Sequence, residues 1–172
     1  EARVADAEDP NKSLPKGDVG EFMIRGGIVM QGYYGNERAT QETIEPDGCL
    51  HTGDLASMDD DGCVFIVDRK KDMILTAGYN VYPAEIERVV AGHPHVALVA
   101  VGSIPDAEKG ELAKAYIVPK VGVTPSAQAI IDYCREHLAA YKVPRAVQFV
   151  EDLPKTSTGK VMRRELRTLD EH

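Results

Sequence analysis

The chain has 172 residues, of which 43% are hydrophobic and 28% are charged. This length allows one ordinary domain or two small ones, with a core that needs no disulfide. A net charge of −8 argues against nucleic acid or an anionic membrane surface as the main partner. No apolar run approaches the length needed to span a bilayer. The 3 cysteines are an odd number without close pairing, which predicts reduced thiols and a cytoplasmic location.

The first part of the chain reads as turn-rich β structure. Residues 2–5 predict a weak strand, and residues 20–26 predict a short strand bounded by glycines. Residues 37–44 can form a helical turn or two. An Asp61-Gly62 turn then leads into a strand over residues 63–67.

A charged joint follows this strand. The apolar run stops at five polar residues, 68–72, and a second short apolar run follows at residues 73–75, which predicts two strands with a charged joint between them. Gly78 with the following Tyr-Asn predicts a turn. Pro83 predicts the first residue of a helix that ends at Gly92. From composition alone, such a charge run is usually only a solvated turn.

Beyond the joint the pattern changes to alternating helices and strands. Continuous apolar runs predict buried strands over 96–101 and 113–118, separated by a polar loop over 104–111. Thr124 as N-cap, with Pro125 at the first position, predicts the start of a helix. The remaining predicted elements are a strand over 146–150 and a short helix over 161–169.

The sequence in and after the charged joint resembles that of a known enzyme superfamily. The strings Asp-Arg-Lys-Lys-Asp-Met-Ile and Gly-Tyr-Asn-Val-Tyr-Pro-Ala-Glu-Ile-Glu resemble the segment joining the two domains of adenylate-forming enzymes, which include acyl-CoA synthetases, luciferases and peptide-synthetase adenylation domains. The resemblance implies an α+β fold class. Residues 1–69 would be a small β-rich tail subdomain ending a large N-terminal AMP-binding domain. Residues 70–172 would be a compact α/β C-terminal lid domain with a central short sheet, mobile relative to the first.

A second motif lies near the end of the chain. Residues 154–160 read Pro-Lys-Thr-Ser-Thr-Gly-Lys. They do not fit a P-loop, because Pro154 replaces the early glycine and Val161 replaces the final Ser or Thr. A lysine on such a loop is more often simply solvated. The string resembles the late superfamily motif, which implies that Lys160 is catalytic and neutralises charge while a carboxylate attacks the α-phosphate of ATP.

Three further residues acquire roles through the resemblance. Asp54, in Thr-Gly-Asp, would bind the ribose of ATP or AMP, and Arg69 would add a donor to the ribose or the phosphates. Lys71 would be the hinge about which the C-terminal domain turns. From the residues alone, Asp54 could equally be a turn residue, and Arg69 could be one half of a weak surface ion pair.

The coenzyme A contacts are predicted at two places. The resemblance assigns Gly78, Tyr79 and Asn80 to thioester formation, and a glycine leaves room for a pantetheine arm close to the backbone. A basic and aromatic cluster would contact the nucleotide of coenzyme A, and its members are Tyr141, Lys142 and Arg145. A turn glycine and a tyrosine packed on the core are the alternatives.

Together these features predict part of an acid–CoA ligase that converts a carboxylic acid to acyl-AMP and then to acyl-CoA. A fatty acid is the favoured substrate class. The cofactors would be ATP, coenzyme A, and Mg²⁺ held mainly outside these 172 residues. The partners would be the N-terminal AMP-binding domain and the acid, with no nucleic acid. The histidines suggest no protein-held metal. Because the chain begins at Glu1, we expect a piece of a longer protein that is inactive alone. The alternatives are a non-catalytic interaction module and a peptide-synthetase-type adenylation domain.

Overall fold

Two separate sheets, one in each part of the chain, organise the fold. The computed structural model describes residues 1–171, and the chain divides into two compact units, Glu1–Lys71 and the part from Asp72 onward. Strands dominate both units and the helices are short, which confirms the predicted α+β fold class. No helix within residues 1–171 is long and apolar enough to cross a membrane.

The first unit is a four-stranded antiparallel sheet. Its elements are β1 (Ala2–Ala5), β2 (Gly20–Ile24), α1 (Glu37–Thr43), β3 (Leu50–Met58) and β4 (Val64–Arg69). Each strand pairs with its neighbour in sequence, in the order β1-β2-β3-β4. The Asn36 side chain caps α1 by accepting a hydrogen bond from the backbone N–H of Ala39. Ala5, Met23 and Cys49 form a small buried cluster.

The second unit is built around strand β8. Its elements are β5 (Ile74–Thr76), β6 (Tyr79–Val81), α2 (Pro83–Ala91), β7 (Val96–Asp106), β8 (Gly110–Pro119), α3 (Ala127–His137) and β9 (Ala146–Phe149). The sheet order is β6-β5-β8-β7, and β9 pairs with β8 in parallel. Short 3₁₀ segments span Lys70–Asp72 and Arg163–Glu171.

Both faces of β8 are buried over residues 115–117, in agreement with the apolar run there. Ala115 and Ile117 point into the cluster that contains Ile86 of α2 and Ile130 of α3. Tyr116 points to the opposite face, where it packs in a second cluster with Ala100, Leu153 and Leu166. The second unit therefore has a helical layer on one side of its sheet and the C-terminal segment on the other.

Local signals placed helix α2 correctly. Pro83 is its first residue and Gly92 is its C-cap, as predicted. Helix α3 begins two residues later than predicted, because Ser126, not Thr124, accepts the capping hydrogen bond from the N–H of Ala129. The C-terminal segment is a 3₁₀ helix over Arg163–Glu171 and not the helix predicted over 161–169.

The loop predicted over 104–111 is wrong. β7 continues to Asp106 and β8 begins at Gly110, so these strands form one long hairpin. The polarity of these residues suggested a loop, but they are extended because each strand pairs with the other up to the turn. The turn predicted at Gly78-Tyr79-Asn80 also shifts, because Tyr79 and Asn80 belong to β6.

We expect Ile117→Ala to lower the free energy of unfolding by about 2–5 kcal/mol, since it leaves a cavity in a fully buried site. Val121→Ala is the control, because Val121 is fully exposed and its removal should change stability by less than about 0.5 kcal/mol. Urea denaturation followed by circular dichroism measures both. Equal losses in the two variants would contradict the placement of this core.

Candidate functional site

The two residues predicted to contact the ribose lie together in the first unit. Asp54 on β3 and Arg69 on β4 are cross-strand partners. Arg69 Nε lies 2.9 Å from Asp54 Oδ1, and the two side chains are 53% and 31% exposed. The pair is therefore open to solvent, and each group keeps hydrogen-bonding capacity beyond this contact. A carboxylate and a guanidinium at this spacing can bind a diol and a phosphate side by side.

The predicted hinge residue follows a tightly anchored neighbour. Lys70 Nζ donates to Glu21 Oε2 at 2.7 Å, and His51 Nδ1 lies 3.1 Å from the same oxygen. Burial of Glu21 acts to raise its pKa, but the hydrogen bonds from Lys70 and His51 outweigh burial and hold the pKa below its usual value. Lys71 itself is exposed. The first unit thus ends on a fixed residue next to a solvated one.

The Lys160 loop is a tight turn stabilised by its own backbone. Lys155 and Val161 form an isolated antiparallel bridge at its base. The N–H of Thr156 donates to the carbonyl of Lys160 at 2.8 Å, and the N–H of Lys160 donates to Thr156 Oγ1 at 3.1 Å. Gly159 has φ +82°, a conformation that favours glycine. Within residues 1–171 the Lys160 ammonium has no ion pair or hydrogen bond, so a fixed loop presents a free cation.

The predicted pantetheine contact is a two-residue hairpin turn. Ala77 and Gly78 connect β5 to β6 with φ values of 49° and 83°. Positive φ at both positions is what a two-residue turn of this hand requires. The Gly78 position is open, because a Cβ there would meet nothing within 4 Å. This turn therefore exposes backbone to an approaching ligand.

The two predicted coenzyme A clusters meet through an aromatic stack. The rings of Tyr79 and Tyr141 are 4.5 Å apart and inclined by 21°. Lys142 is engaged, since its ammonium donates to both carboxylate oxygens of Glu85 at 2.8 and 2.7 Å. Arg145 is exposed, and its guanidinium contact is a long 3.4 Å hydrogen bond to the carbonyl of Ala140. Arg145 is therefore the more available of the two cations.

Comparisons with known proteins find relatives along nearly the whole of this chain. Residues 85–160, which end at Lys160, match the model of the AMP-binding enzyme C-terminal domain. The chain is 50% identical over 167 residues to the long-chain-fatty-acid–CoA ligase of Salmonella typhimurium, covering 97% of this chain and 29% of that protein. Residues 85–160 therefore belong to the family of AMP-binding enzyme C-terminal domains.

Other relatives of this chain match over the same region. A ligase from Rhodococcus jostii, named for the CoA ester of a methyl-dioxo-octahydroindenyl propanoate, is 47% identical over 158 residues, which are 92% of this chain and 31% of that protein. The ATP-bound crystal structure of MatB from Rhodopseudomonas palustris matches with a TM-score of 0.92 and 38% identity, over 98% of this chain and 33% of that one. The chain thus spans about a third of the length of the relatives described here.

Sequence reasoning missed the acidic residues that hold the site's cations. Glu85 and Glu87 lie in the first turns of α2, where the helix dipole already favours acidic residues, so nothing local indicates that they bind cations. In the structure Glu85 binds Lys142, and Glu21 binds Lys70 across 49 residues of sequence. No local sequence pattern indicates such a distant pair.

Within residues 1–171 no group of three or more His, Cys, Asp or Glu side chains is arranged to hold a metal.

The anchor on Lys70 predicts a pH-dependent stability. Because the folded pKa of Glu21 lies below its ordinary value of 4.5, its contribution is complete above that value and is lost as the pH falls through the folded pKa. We expect Glu21→Gln to cost about 1–2 kcal/mol at pH 7. The difference from wild type should shrink in acid below pH 4.5.

Urea denaturation between pH 7 and pH 3 measures this difference. The matched control is Glu42→Gln, which removes one partner of an exposed pair with Arg38 and should change stability by less than about 0.5 kcal/mol. A Glu21→Gln deficit that is the same at every pH would contradict the assignment.

Proposed function

We propose that this sequence is the C-terminal part of an acid–CoA ligase. In the first step the acid's carboxylate oxygen attacks the α-phosphorus of ATP, and the bond to pyrophosphate breaks, leaving acyl-AMP. In the second step the thiol of coenzyme A loses its proton and attacks the acyl carbon, and AMP leaves with the phosphate oxygen. The observation that carries the proposal is the Lys160 ammonium, which has no partner within residues 1–171 and lies at the end of the segment that matches the AMP-binding family.

Lys160 would act in the first step. Negative charge accumulates between the attacking carboxylate and the α-phosphate, and a compact ammonium stabilises it. Three features of Lys160 support this role: its loop is fixed, its side chain is exposed, and no acid within the described residues neutralises it. Asp54 and Arg69 would hold the ribose and phosphates through the capacity left open by their own pair.

The open turn and the tyrosine stack would act in the second step. Gly78 exposes a turn without a side chain, which suits a narrow pantetheine arm. Tyr79 and Tyr141 form a flat aromatic surface of the kind on which an adenine can stack. Asn80 lies beside the turn. Arg145 would contact a phosphate directly, whereas Lys142 would have to leave Glu85 to do so.

The two units support a division into domains. Residues 1–69 would end an N-terminal AMP-binding domain, and residues 70–172 would form a mobile C-terminal domain that turns about Lys71. The chain divides between Lys71 and Asp72, next to the proposed hinge. The rest of the N-terminal domain would hold Mg²⁺ with ATP and would contain the acid pocket, so the 172 residues alone should be inactive. The cytoplasmic location stays a prediction from the cysteines.

A fatty acid is the substrate that we propose, and the support is the 50% identity to the Salmonella long-chain ligase. The Rhodococcus relative, at 47% identity, is named for a ring-bearing propanoate. Identity over this region thus distinguishes acids poorly, which fits a pocket located elsewhere. A panel of acids of different chain length and ring content, with pyrophosphate release as the measurement, tests the substrate.

We expect Lys160→Ala in the full-length protein to lower the rate of pyrophosphate release by about 10²–10³-fold, as removal of one preorganised transition-state contact does. Thioester formation from supplied acyl-AMP should change much less. The matched control is Lys155→Ala in the same loop, since the Lys155 ammonium is paired with Asp152. Normal adenylation by Lys160→Ala would overturn the ligase mechanism and favour a non-catalytic interaction module.

We expect Arg145→Ala to raise KM for coenzyme A by about tenfold, since a hydrogen bond to a charged group contributes about 1.5–3 kcal/mol. Pyrophosphate release should stay within about twofold, because this step needs no coenzyme A. Arg135→Ala is the control, because Arg135 is exposed and paired with Asp132 one turn away on α3. An unchanged KM for coenzyme A in Arg145→Ala would remove Arg145 from the site.

A further inference from the structure

A partly buried ion-pair cluster lies directly beside the Lys160 loop. The guanidinium of Arg163 donates through Nε and Nη2 to the two carboxylate oxygens of Glu87, at 3.0 and 2.6 Å. Its Nη1 donates to Asp72 Oδ2 at 3.3 Å. The side chains of Arg163, Glu87 and Asp72 are 21%, 20% and 22% exposed. We call this cluster the Arg163 clamp.

The clamp is fixed in geometry. A bidentate guanidinium–carboxylate pair holds both planes in one orientation, which a lysine could not do. Glu87 is itself held, because its Oε1 also accepts a hydrogen bond from the backbone N–H of Val101 on β7 at 2.9 Å. Arg163 therefore binds a carboxylate that cannot easily move.

The position of Arg163 along the chain gives the clamp its importance. The base of the Lys160 loop closes where the N–H of Met162 donates to the carbonyl of Pro154 at 2.8 Å, and Arg163 is the next residue. Leu166, which is buried, secures the segment further on. The clamp is thus the ion-paired anchor adjoining the end of the loop that carries Lys160.

The other end of the clamp lies at the start of the second unit. Asp72 is the first residue of that unit and follows Lys71 directly. On the other side of Lys71, Lys70 is anchored to Glu21 within the first unit. Lys71 is therefore a single exposed residue between two ion-paired neighbours. Asp72 therefore connects the residue after Lys71 to Arg163, which adjoins the end of the Lys160 loop.

We propose that Arg163 is a positioning residue that locks the Lys160 loop to helix α2 and to the residue after the hinge. This inference rests on the proposed role of Lys160 in adenylation. The Lys160 ammonium stands on a long flexible side chain, so the direction of its loop decides where the charge can reach. A displacement of about 1 Å in a positioning element can lower a rate by about a hundredfold.

The neighbouring arginine supplies the matched control. Arg164 is 81% exposed, and its ion pair is a loose 3.7 Å contact with the adjacent Glu165. Arg163→Ala and Arg164→Ala remove the same side chain from adjacent positions of one 3₁₀ segment. The clamp is lost in Arg163→Ala and kept in Arg164→Ala.

The test is made in the full-length protein that carries this sequence, with both half-reactions assayed separately. We expect Arg163→Ala to lower kcat for pyrophosphate release by about 10–100-fold and to leave thioester formation from supplied acyl-AMP within about threefold. Arg163→Lys, which keeps the charge but loses the bidentate geometry, should fall between Arg163→Ala and wild type. Arg164→Ala should match wild type within about twofold in both half-reactions.

A double variant separates positioning from general support. If Arg163 acts through Lys160, then Arg163→Ala should reduce pyrophosphate release little further once Lys160→Ala is present. Equal losses in both half-reactions, or additive losses in the double variant, would overturn the inference. If Arg163→Ala does not fold, Glu87→Gln and Arg163→Lys must show the same selective loss, and the inference fails if they do not.

The outcomes also separate this inference from the proposed function. Normal pyrophosphate release by Lys160→Ala would refute the catalytic role of Lys160 and, with it, the positioning role. A strong defect in Lys160→Ala with normal release in Arg163→Ala would refute the positioning role alone.

Discussion

Burial of strand β8 on both faces is the constraint on which the second unit depends. The strand pairs with β7 along its length, with β9 in parallel and with β5 at its first residue. Two of these partners, β5 and β9, lead to parts of the proposed site. The β5–β6 hairpin carries Gly78, and the segment after β9 leads through buried Leu153 to the Lys160 loop. The loops that carry the proposed site residues therefore connect to a strand whose central residues are buried.

Beyond the core, ion pairs hold side chains in place. The chain is acidic overall, with 28 Asp and Glu against 20 Lys and Arg, so most cations near the site can find a carboxylate. Lys142 has Glu85, and Lys114 has Asp170. Partly buried pairs of this kind add little net stability, but they give each side chain a single position. Within the described residues, the Lys160 ammonium is by contrast unpaired.

Sequence alone predicted those features that depend on local interactions. Pro83 and Gly92 delimit α2 through backbone preferences that act over one turn, and both positions were correct. The long β7–β8 hairpin was missed because pairing with a distant strand decides whether a polar stretch is extended. The resemblance suggested residues for the site, and the structure added the ion pairs beside them. The contacts of Lys70 with Glu21 and of Arg163 with Glu87 join residues 49 and 76 positions apart, which no local pattern contains.

Lys160 differs from its charged neighbours in the way that a cation acting on a transient negative charge requires. An ammonium that must stabilise a transient charge loses effectiveness if a carboxylate already neutralises it, since only interactions stronger in the transition state accelerate a step. Lys155, in the same loop, is paired with Asp152, and Arg163 just beyond it is paired twice. Lys160 lies between them without an acidic partner among the described residues. The neighbours of Lys160 have their own charges paired, so the loop can be fixed while the Lys160 side chain, for which we propose the catalytic role, stays unpaired within the described part of the chain.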